Sequence, residues 1–519
     1  NMLDVTPQSL SNANSPRIFT NSDLKIVLDS SQSNYTTHAL VPLHQNNIQT
    51  ASVVSLNGDV IGDAKFTPAS LNMPKATTVL AGRDILNLGF TVQNNNPEDV
   101  TLLQAGRDLR DETVQGKDCT AKGSNCLQHV VYGPGIFKLM AGRNIDLGNQ
   151  SGVVTKGNQS NPYLLEGGAS IELMTAGQSP NYASLNNYIN SILLGGSFKS
   201  TALDAWSINF DSASDAAKNK YFFQMLVDAS KYKDPKTEAI DLVYFDGLVK
   251  ALLPRLDKTS LGDLSSHSSQ IKTEQGGTID MFTPAGSVYA GLMMGAVVKS
   301  PANQGLFTIR GGDINALVKN DFLVNQGRVF TLGGGDITLI SQFGNLEAGK
   351  GAKTASSAPP PLVTFDVNGN IKVDVSNSIA GSGIATLSTR LGQPASNVYL
   401  LAPRGYFDAG DAGVRSTGSV EVNSPVVKNA DNIVATGTIS NSQAPAVVAP
   451  ALAPVSAPAT PAPTNTDDVK KSLASNTLSN ANLSVELLGL GDAKSDNANT
   501  SAQSPAGDED DKDNRKDKP

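Results

Sequence analysis

The residues that come closest to an active-site pattern are two aspartates, Asp408 and Asp411, with Arg404 and Arg415 close by in sequence. Two carboxylates that face a cleft about 5 to 10 Å apart can hydrolyse a glycosidic bond. The alternative is that each aspartate caps a glycine turn. We favour this alternative because glycine followed by Asp or Asn recurs along the chain at places where no active site could be. The sequence therefore predicts no catalytic residue.

Two cysteines, Cys119 and Cys126, are seven residues apart in a segment that is typical of a loop. The four histidines are scattered along the chain, so a metal site would have too few ligands in one place. We therefore predict no metal and no cofactor. A local disulfide is the favoured interpretation of the cysteines, and it would suit an oxidising compartment such as the periplasm or the cell exterior. Two free thiols are the alternative.

A short pattern recurs through most of the chain: an apolar strand, a glycine, sometimes an arginine, an Asp or Asn, and a second apolar strand. Gly58, Gly82 and Gly106 follow one another at intervals of 24 residues, and Gly312 and Gly335 are 23 residues apart. Repeats of this length indicate a solenoid or an array. Helical repeats are disfavoured because the segments alternate with a period of two and are rich in Val, Ile, Thr and Phe.

These turns are suited to tight corners. Glycine accepts a positive φ without a Cβ clash, and a neighbouring Asp or Asn can bond its side chain to the following backbone amides. The predicted fold class is an all-β solenoid, a right-handed parallel β-helix, and the hand follows from the general rule for parallel crossover connections. In three turns an arginine follows the glycine, and we predict that Arg83, Arg107 and Arg143 lie at coil corners, solvated or paired with the adjacent acid in a stacked row.

Between residues 181 and 265 the apolar spacing becomes helical. One helix is predicted around 220–232, with an apolar face made by Tyr221, Phe222, Met225, Leu226 and Ala229. A second is predicted to begin with Asp234 as N-cap and Pro235 at the first helical position, and to end at Pro254. Its apolar stripe consists of Leu242, Phe245, Leu248, Val249 and Leu252. We interpret Trp206, Tyr244 and Phe245 as packing residues and not as a ligand groove.

The pattern divides the chain into five parts: an irregular segment with one strand at 1–50, a first β-helix block at 51–180, the α-helical insertion at 181–265, a second β-helix block at 266–437, and a disordered tail at 438–519. Strands are predicted to resume clearly at 276, and a hairpin is predicted around Asn368 and Gly369. The tail is rich in Pro and Ala and then in charged residues, a composition that cannot offset the entropy of ordering.

Composition excludes some classes of function. The net charge of −8 gives no support to a nucleic-acid surface, which needs clustered Lys and Arg. No apolar run reaches the length needed to span a bilayer. The chain begins with Asn1 followed by Met2, and we interpret it as a fragment or a processed piece.

Several longer segments occur in a fixed order: LAGRDILNLGF, LLQAGRDLRD, GPGIFKLMAGRNIDLG, GNLEAGKGAKT, GSGIATL and LLAPRGYFDAGDAGVRSTGSV. Together they resemble the C-terminal region of the filamentous hemagglutinin family of large exported bacterial proteins, over about residues 51 to 436. The segment LSVELLGLG at 483–491 is similar to the short stretch with which such chains often end. The resemblance implies two-partner secretion through an outer-membrane transporter, a long β-helical shaft, and display or release at the surface of a Gram-negative cell.

The sequence thus predicts a non-enzymatic structural and adhesive segment that contacts a glycan or protein on a host or neighbouring cell, with no nucleic-acid partner. Two alternatives stay open at this stage. One is a carbohydrate-active β-helix enzyme that uses Asp408. The other is a segment needed for secretion or maturation of a larger exported chain.

Overall fold

Three long parallel sheets run through the described part of the chain, with eleven, ten and ten strands. The computed structural model describes residues 49–62, 70–73, 75–111, 126–157, 165–254, 261–291, 304–350, 362–365, 371–374, 381–389 and 392–442. All of them belong to one compact unit, Asn1–Val447, and the second unit, Val448–Pro519, lies outside the described residues. The N-terminal segment up to 48, most of the tail and the segment 483–491 also lie outside them.

Successive strands visit the three sheets in turn, so three strands make one coil. Sheet 1 contains β1 (Ala51–Ser55), β4 (Thr77–Ala81), β7 (Val100–Ala105), β10 (Ile136–Ala141), β13 (Ser170–Met174), β16 (Ile279–Thr283), β19 (Ile314–Val318), β22 (Ile337–Ser341), β27 (Val398–Leu401), β30 (Val420–Asn423) and β33 (Ile439–Asn441). Sheet 2 contains β2 (Val60–Ile61), β5 (Ile85–Leu86), β8 (Leu109–Arg110), β11 (Ile145–Asp146), β14 (Leu264–Ser265), β17 (Val288–Tyr289), β20 (Phe322–Leu323), β23 (Leu346–Glu347), β28 (Tyr406–Asp408) and β31 (Val426–Lys428). Sheet 3 contains β3 (Ser70–Met73), β6 (Gly89–Gln93), β9 (His129–Tyr132), β12 (Val153–Lys156), β15 (Gln270–Thr273), β18 (Gly305–Thr308), β21 (Arg328–Leu332), β26 (Gly383–Leu387), β29 (Val414–Ser416) and β32 (Ile433–Ala435).

Every neighbouring pair within these three sheets is parallel, so the fold is a parallel β-helix, as the repeat predicts. Side chains alternate between the inside and the outside of the coil. The inward positions form one continuous apolar core with members from all three sheets, such as Val79, Phe90, Ile145 and Leu339. Within it the rings of Phe90 and Phe137 stack at 5.9 Å between neighbouring coils. The core is thus thin but unbroken along the stack.

Two corner glycines show why a side chain is excluded there. A Cβ added to Gly82 would lie 2.0 Å from the carbonyl oxygen of Leu56 in the coil below. A Cβ added to Gly335, which has a φ of +114°, would lie 2.0 Å from the carbonyl oxygen of Gly312. Glycine at these corners therefore sets the spacing between coils as well as the turn.

The chain leaves the solenoid between β13 and β14, where its described residues form four helices: α1 (Tyr182–Gly195), α2 (Thr201–Asn209), α3 (Asp215–Ala229) and α4 (Val243–Leu252). The first three are N-capped by the side chains of Asn181, Ser200 and Ser214, which accept hydrogen bonds from backbone amides of the first turn. The helix predicted around 220–232 is confirmed as part of α3. We refer to the four helices together as the insertion.

The predicted start of the last helix is wrong. Helix α4 begins at Val243, whereas Asp234 accepts hydrogen bonds from the amides of Lys236 and Thr237 and closes a separate turn. The Asp-Pro pair therefore starts a turn here and not a helix. The apolar stripe itself is confirmed, since the members of the stripe within α4 are buried: Phe245, Leu248, Val249 and Leu252.

Strands also resume earlier than predicted. The two-residue β14 and the largely polar β15 precede position 276, and both are too short to show a clear alternation in the sequence. The predicted hairpin is confirmed for its strands, because β24 (Leu362–Phe365) and β25 (Ile371–Asp374) pair in antiparallel fashion with Phe365 opposite Ile371. The turn residues Asn368 and Gly369 lie outside the described residues.

Candidate functional surface

One corner of the solenoid carries a continuous ladder of polar side chains. It lies between sheet 1 and sheet 2, and in each coil a side-chain oxygen accepts a hydrogen bond from the backbone amide at the equivalent position of the next coil. The distances range from 2.8 to 3.3 Å. The accepting residues are Asp59, Asp84, Asp108, Asn144, Asp263, Ser287, Asp321 and Asn345. We refer to this row as the corner ladder.

The three arginines lie beside this ladder, as predicted, each paired with the acid of the preceding coil. Arg83 contacts Asp59 at 2.8 Å, Arg107 pairs with Asp84, and Arg143 pairs with Asp108. Burial raises the pKa of the Asp84 carboxyl, but the hydrogen bonds from Arg107 and from the Asp108 amide outweigh burial and leave that pKa below its ordinary value. Asp84 therefore stays ionised at neutral pH, and its carboxyl oxygens are held by Arg107 and by the Asp108 amide.

The two members of such a pair differ in their expected contribution to stability. Arg107 has an exposed side chain, so Arg107→Gln should lower the free energy of unfolding by much less than the loss of Asp84 does. Asp84 is buried, and Asp84→Ala should cost about 1–3 kcal/mol because the Asp108 amide loses its acceptor. Urea unfolding followed by circular dichroism measures both values. Equal losses for the two variants would contradict this assignment.

The Gly-Gly-Asp turns belong to a different corner, between sheet 3 and sheet 1. Asp313 accepts a hydrogen bond from the Asp336 amide at 2.8 Å, and Asp336 accepts one from the Asn397 amide at 2.7 Å. The sequence pattern treated these turns as equivalent to the Gly-Arg-Asp turns, and this is wrong. Both corners place an acid after a glycine because both must supply an acceptor to the coil above, so the local sequences look alike.

The candidate catalytic pair lies at the end of β28 and in the turn that follows it. Asp408 lies at the end of β28, and its Oδ1 accepts hydrogen bonds from the Gly410 amide at 2.8 Å and from the Asn429 side chain at 2.7 Å. Asp411 is exposed in the turn that follows. Asp408 therefore stabilises a turn, in keeping with the favoured interpretation of the sequence.

The two arginines near that pair lie in different parts of the coil, one in a turn and one in a strand. Arg404 lies before β28, where it donates a hydrogen bond to Asp246 of α4 at 2.6 Å and covers the ring of Phe343 at 5.0 Å. Arg415 lies in the middle of β29, on sheet 3. Arg404 is thus part of the contact between the solenoid and the insertion.

The insertion covers the outer face of sheet 1 with an apolar interface. Trp206, Phe222, Phe223 and Phe245 of the helices form a buried cluster with outward-facing side chains of the strands, and Phe223 meets Phe282 at 5.7 Å between ring centres. The strand residues of this cluster are Met140, Met174, Phe282, Leu317, Ile340 and Leu401. Trp206 and Phe245 are confirmed as packing residues, with Tyr244 partly buried against the same cluster.

Ion pairs and hydrogen bonds surround this apolar interface. Lys220 contacts Asp313 at 3.0 Å, Lys231 contacts Glu421 at 3.0 Å, and the side chain of Asn423 donates to the Ser230 carbonyl at 2.6 Å. With the contact of Lys138 to Asp215 at 3.8 Å, the insertion reaches from β10 to β30. At a strand spacing of about 4.8 Å, this is a span of roughly 29 Å along the solenoid axis.

Sequence reasoning missed the polar residues beneath the helices, in particular Glu172 and Asp280. A signal was present: in register, three successive sheet 1 strands read Ile-Glu-Leu-Met, Ile-Asp-Met-Phe and Ile-Asn-Ala-Leu, with a polar residue after the isoleucine in each. Alignment of the coils with one another would have shown one column of polar residues between apolar columns. Such a column on a covered face indicates a polar contact.

Within the part of the chain that the structure describes, no group of three His, Cys, Asp or Glu side chains is placed to hold a metal ion. No helix of that part is long and apolar enough to cross a membrane. Cys126 is disulfide-bonded in the structure. Cys119 lies outside the described residues, so its pairing with Cys126 stays a prediction.

The last coils of the solenoid match a known protein family. Residues 334–443, about a fifth of the chain, match a family model described as "Filamentous haemagglutinin family outer membrane protein". Residues 334–443 are therefore similar to the filamentous haemagglutinin family. The match begins in the Gly-Gly-Gly-Asp turn, runs from β22 to β33, and includes the segments GNLEAGKGAKT, GSGIATL and APRGYFDAGDAGVR on which the resemblance depends.

The family match confirms the resemblance for the C-terminal region and supports an exported, adhesin-like protein. It also supports the predicted localisation, secreted or at the bacterial cell surface. Neither the search of curated proteins nor the search of solved structures gives a match.

Proposed function

We propose that this chain is a non-enzymatic adhesive segment of an exported surface protein, with the solenoid as shaft and the insertion as the presented contact surface. The observation that carries the proposal is the insertion itself, which is fixed along one face of the solenoid over seven sheet 1 strands from β10 to β30. A solenoid offers long exposed faces that suit binding.

Three large apolar side chains on the helices of the insertion are exposed. Leu194 of α1 and Ile208 of α2 are 90% and 79% exposed, and Val243 of α4 is 54% exposed. Large apolar side chains at such exposure contribute nothing to the core of this protein. We propose that they contact a protein or glycan on a host or neighbouring cell.

Several observations disfavour the enzymatic alternative. Asp408 accepts the hydrogen bonds of a turn, Arg404 pairs with Asp246 of α4, and Arg415 lies on a strand of another sheet. We also propose that the longer protein is exported by an outer-membrane transporter of two-partner secretion, an inference that depends on the matched family. No nucleic-acid partner is proposed, in keeping with the net charge of −8.

Replacing the two most exposed apolar residues of the insertion should weaken cell binding without changing the fold. The double variant Leu194→Asp, Ile208→Asp should bind at least about tenfold more weakly, since a loss of about 1.4 kcal/mol corresponds to a factor of ten. Flow cytometry of fluorescent full chain on epithelial and bacterial cells gives the apparent Kd. The matched control is Leu56→Asp, which changes an 81% exposed leucine before β2.

Unchanged binding of the double variant, or an equal loss in the Leu56→Asp control, would contradict the role of the insertion. The enzymatic alternative is tested on the same material with a glycan panel and a reducing-end assay. Release of reducing ends that Asp408→Ala abolishes would overturn the non-enzymatic proposal. The secretion alternative would instead appear as lost export on deletion of the segment, with adhesion by the exported remainder unaffected.

A further inference from the structure

A row of polar side chains crosses the outer face of sheet 1 directly beneath the helices. Lys138 of β10 is paired with Glu172 of β13, Glu172 with Asp280 of β16, and Asp280 with Asn315 of β19. Glu172 and Asp280 are each 1% exposed. Two carboxyl groups therefore lie on neighbouring strands, covered by the insertion and away from water.

Asp280 is the centre of this row. Its Oδ1 accepts a hydrogen bond from the Asn315 side chain at 2.8 Å, and its Oδ2 accepts one from the Asn219 side chain of α3 at 3.0 Å and one from the Thr278 hydroxyl at 3.2 Å. The hydroxyl of Tyr182 in α1 donates a hydrogen bond to the Oδ1 atom of Asn219 at 2.8 Å. Asp280 is thus bound to the insertion through α3 and, beyond it, through α1.

Positive charge near the two carboxyl groups is scarce. Lys138 Nζ lies 2.9 Å from Glu172 Oε2, close enough for an ion pair, although neither oxygen of Glu172 receives a hydrogen bond of good geometry. The same lysine faces a third carboxylate, Asp215 of α3, at 3.8 Å. One ammonium group is therefore shared by two carboxylates, Glu172 and Asp215, of which Glu172 is buried.

Burial raises the pKa of the Asp280 carboxyl to about 7, and the negative charge of Glu172 adds to this, against the lowering effect of the donors from Asn315, Asn219 and Thr278. Burial also raises the pKa of Glu172, although the charge of Lys138 opposes it. Both carboxyl groups are shifted in the direction that retains a proton.

We propose that Glu172 and Asp280 hold a proton between them that secures the insertion on sheet 1, so that the insertion is held firmly in mild acid and loosens as the pH rises towards neutrality. Loss of that proton leaves two buried negative charges on adjacent strands under α3. The face that loosening uncovers is apolar and includes Phe282 and Leu317. The inference does not depend on the proposed function.

The sign follows from the raised pKa. When the insertion is released, Asp280 meets water and has its ordinary pKa of 3.8, so between about pH 4 and 7 only the bound form carries the proton. The stabilisation is fully present below the ordinary pKa and is lost as the pH rises through about 7. For one proton, the equilibrium constant for retention of the insertion should fall about tenfold per pH unit in that window and level off above it.

Trp206 allows the insertion to be followed by itself, because it is the single tryptophan of the chain and is buried in α2. Urea titrations of the full chain at pH 5, 6, 7 and 8, with Trp206 fluorescence as signal, give the equilibrium constant at each pH. We expect a fall of about tenfold per unit from pH 5 to 7 for the unmodified protein and no fall for Asp280→Asn. The matched control Asp246→Asn changes an exposed carboxylate of α4 and should keep the slope.

A constant value between pH 5 and 7 in the unmodified protein, or an unchanged slope in Asp280→Asn, would overturn the proposal. Should Asp280→Asn fail to fold, Glu172→Gln serves instead: it removes the neighbouring charge and should move the levelling-off to lower pH, so an unmoved curve overturns the proposal. His267, whose pKa is raised by its hydrogen bond to Asp146 on sheet 2, titrates with the same sign. Its variant His267→Gln should leave the Trp206 signal unchanged, and loss of the slope there would assign the effect to His267.

Discussion

Replacing Gly335 with alanine is expected to destabilise the solenoid by about 3–5 kcal/mol, a large share of the stability of an ordinary domain. The residue has a φ of +114°, and the added Cβ would lie 2.0 Å from the carbonyl oxygen of Gly312 in the adjacent coil. The obstacle is backbone, so relief requires the two coils to separate at that corner. Separation would also lengthen the bond from the Asp336 amide to Asp313.

Gly167→Ala is the matched control, since Gly167 has a φ of +106° but nothing lies within 4 Å of its added Cβ. It carries only the cost of the backbone conformation, about 1–3 kcal/mol. Guanidinium unfolding followed by far-ultraviolet circular dichroism gives both free energies. If both variants lose the same free energy of unfolding, the clash of the added Cβ with the adjacent coil is not the reason that position 335 requires glycine.

Phe282→Ala is expected to cost about 3–5 kcal/mol, because it leaves a cavity between β16 and α3. Phe282 is fully buried and packs against Phe223 on the outer face of sheet 1. The loss should appear in Trp206 fluorescence at lower denaturant concentration than in the circular dichroism of the sheets, since the cavity lies outside the inner core.

The control for this prediction is Phe343→Ala, in which the removed ring is 51% exposed and lies under Arg404. Its expected cost is about 1 kcal/mol or less, the value of an exposed cation–π contact. Coincident loss of both signals in Phe282→Ala would mean that the insertion and the solenoid unfold as one unit.

The fold class can be predicted from the sequence because the residues that form each coil of the solenoid are close together in the chain. Each coil needs an apolar strand, a glycine corner and an acceptor, and turns such as Gly82-Arg83-Asp84 show all three within a few residues. The positions of Arg83, Arg107 and Arg143 follow from the same repeat. The repeat does not show to which of the two corners a given turn belongs. That depends on whether a five-residue or a two-residue strand follows the turn, and both kinds of strand begin with an apolar residue.

The sequence predicts that the insertion is helical, but it does not predict which strands the helices contact. Periodicity shows which face of α4 is apolar, yet it does not show that Phe282 and Leu401, far apart in sequence, cover the same helices. Asp280 illustrates the limit most clearly, since its neighbours Asn219 and Glu172 come from α3 and from a coil that precedes the helices. Its unusual chemistry arises only when the insertion covers sheet 1.

The way the insertion spans β10 to β30 has a mechanical consequence. Under tension applied at its two ends, a bare stack of coils yields one coil after another, because each coil is held only by its neighbours. Here the ion pairs of Lys231 with Glu421 and of Lys138 with Asp215 fasten distant coils to one helical body. We therefore expect the coils between those points to separate only after the insertion has detached, so that the insertion reinforces this part of the solenoid against tension.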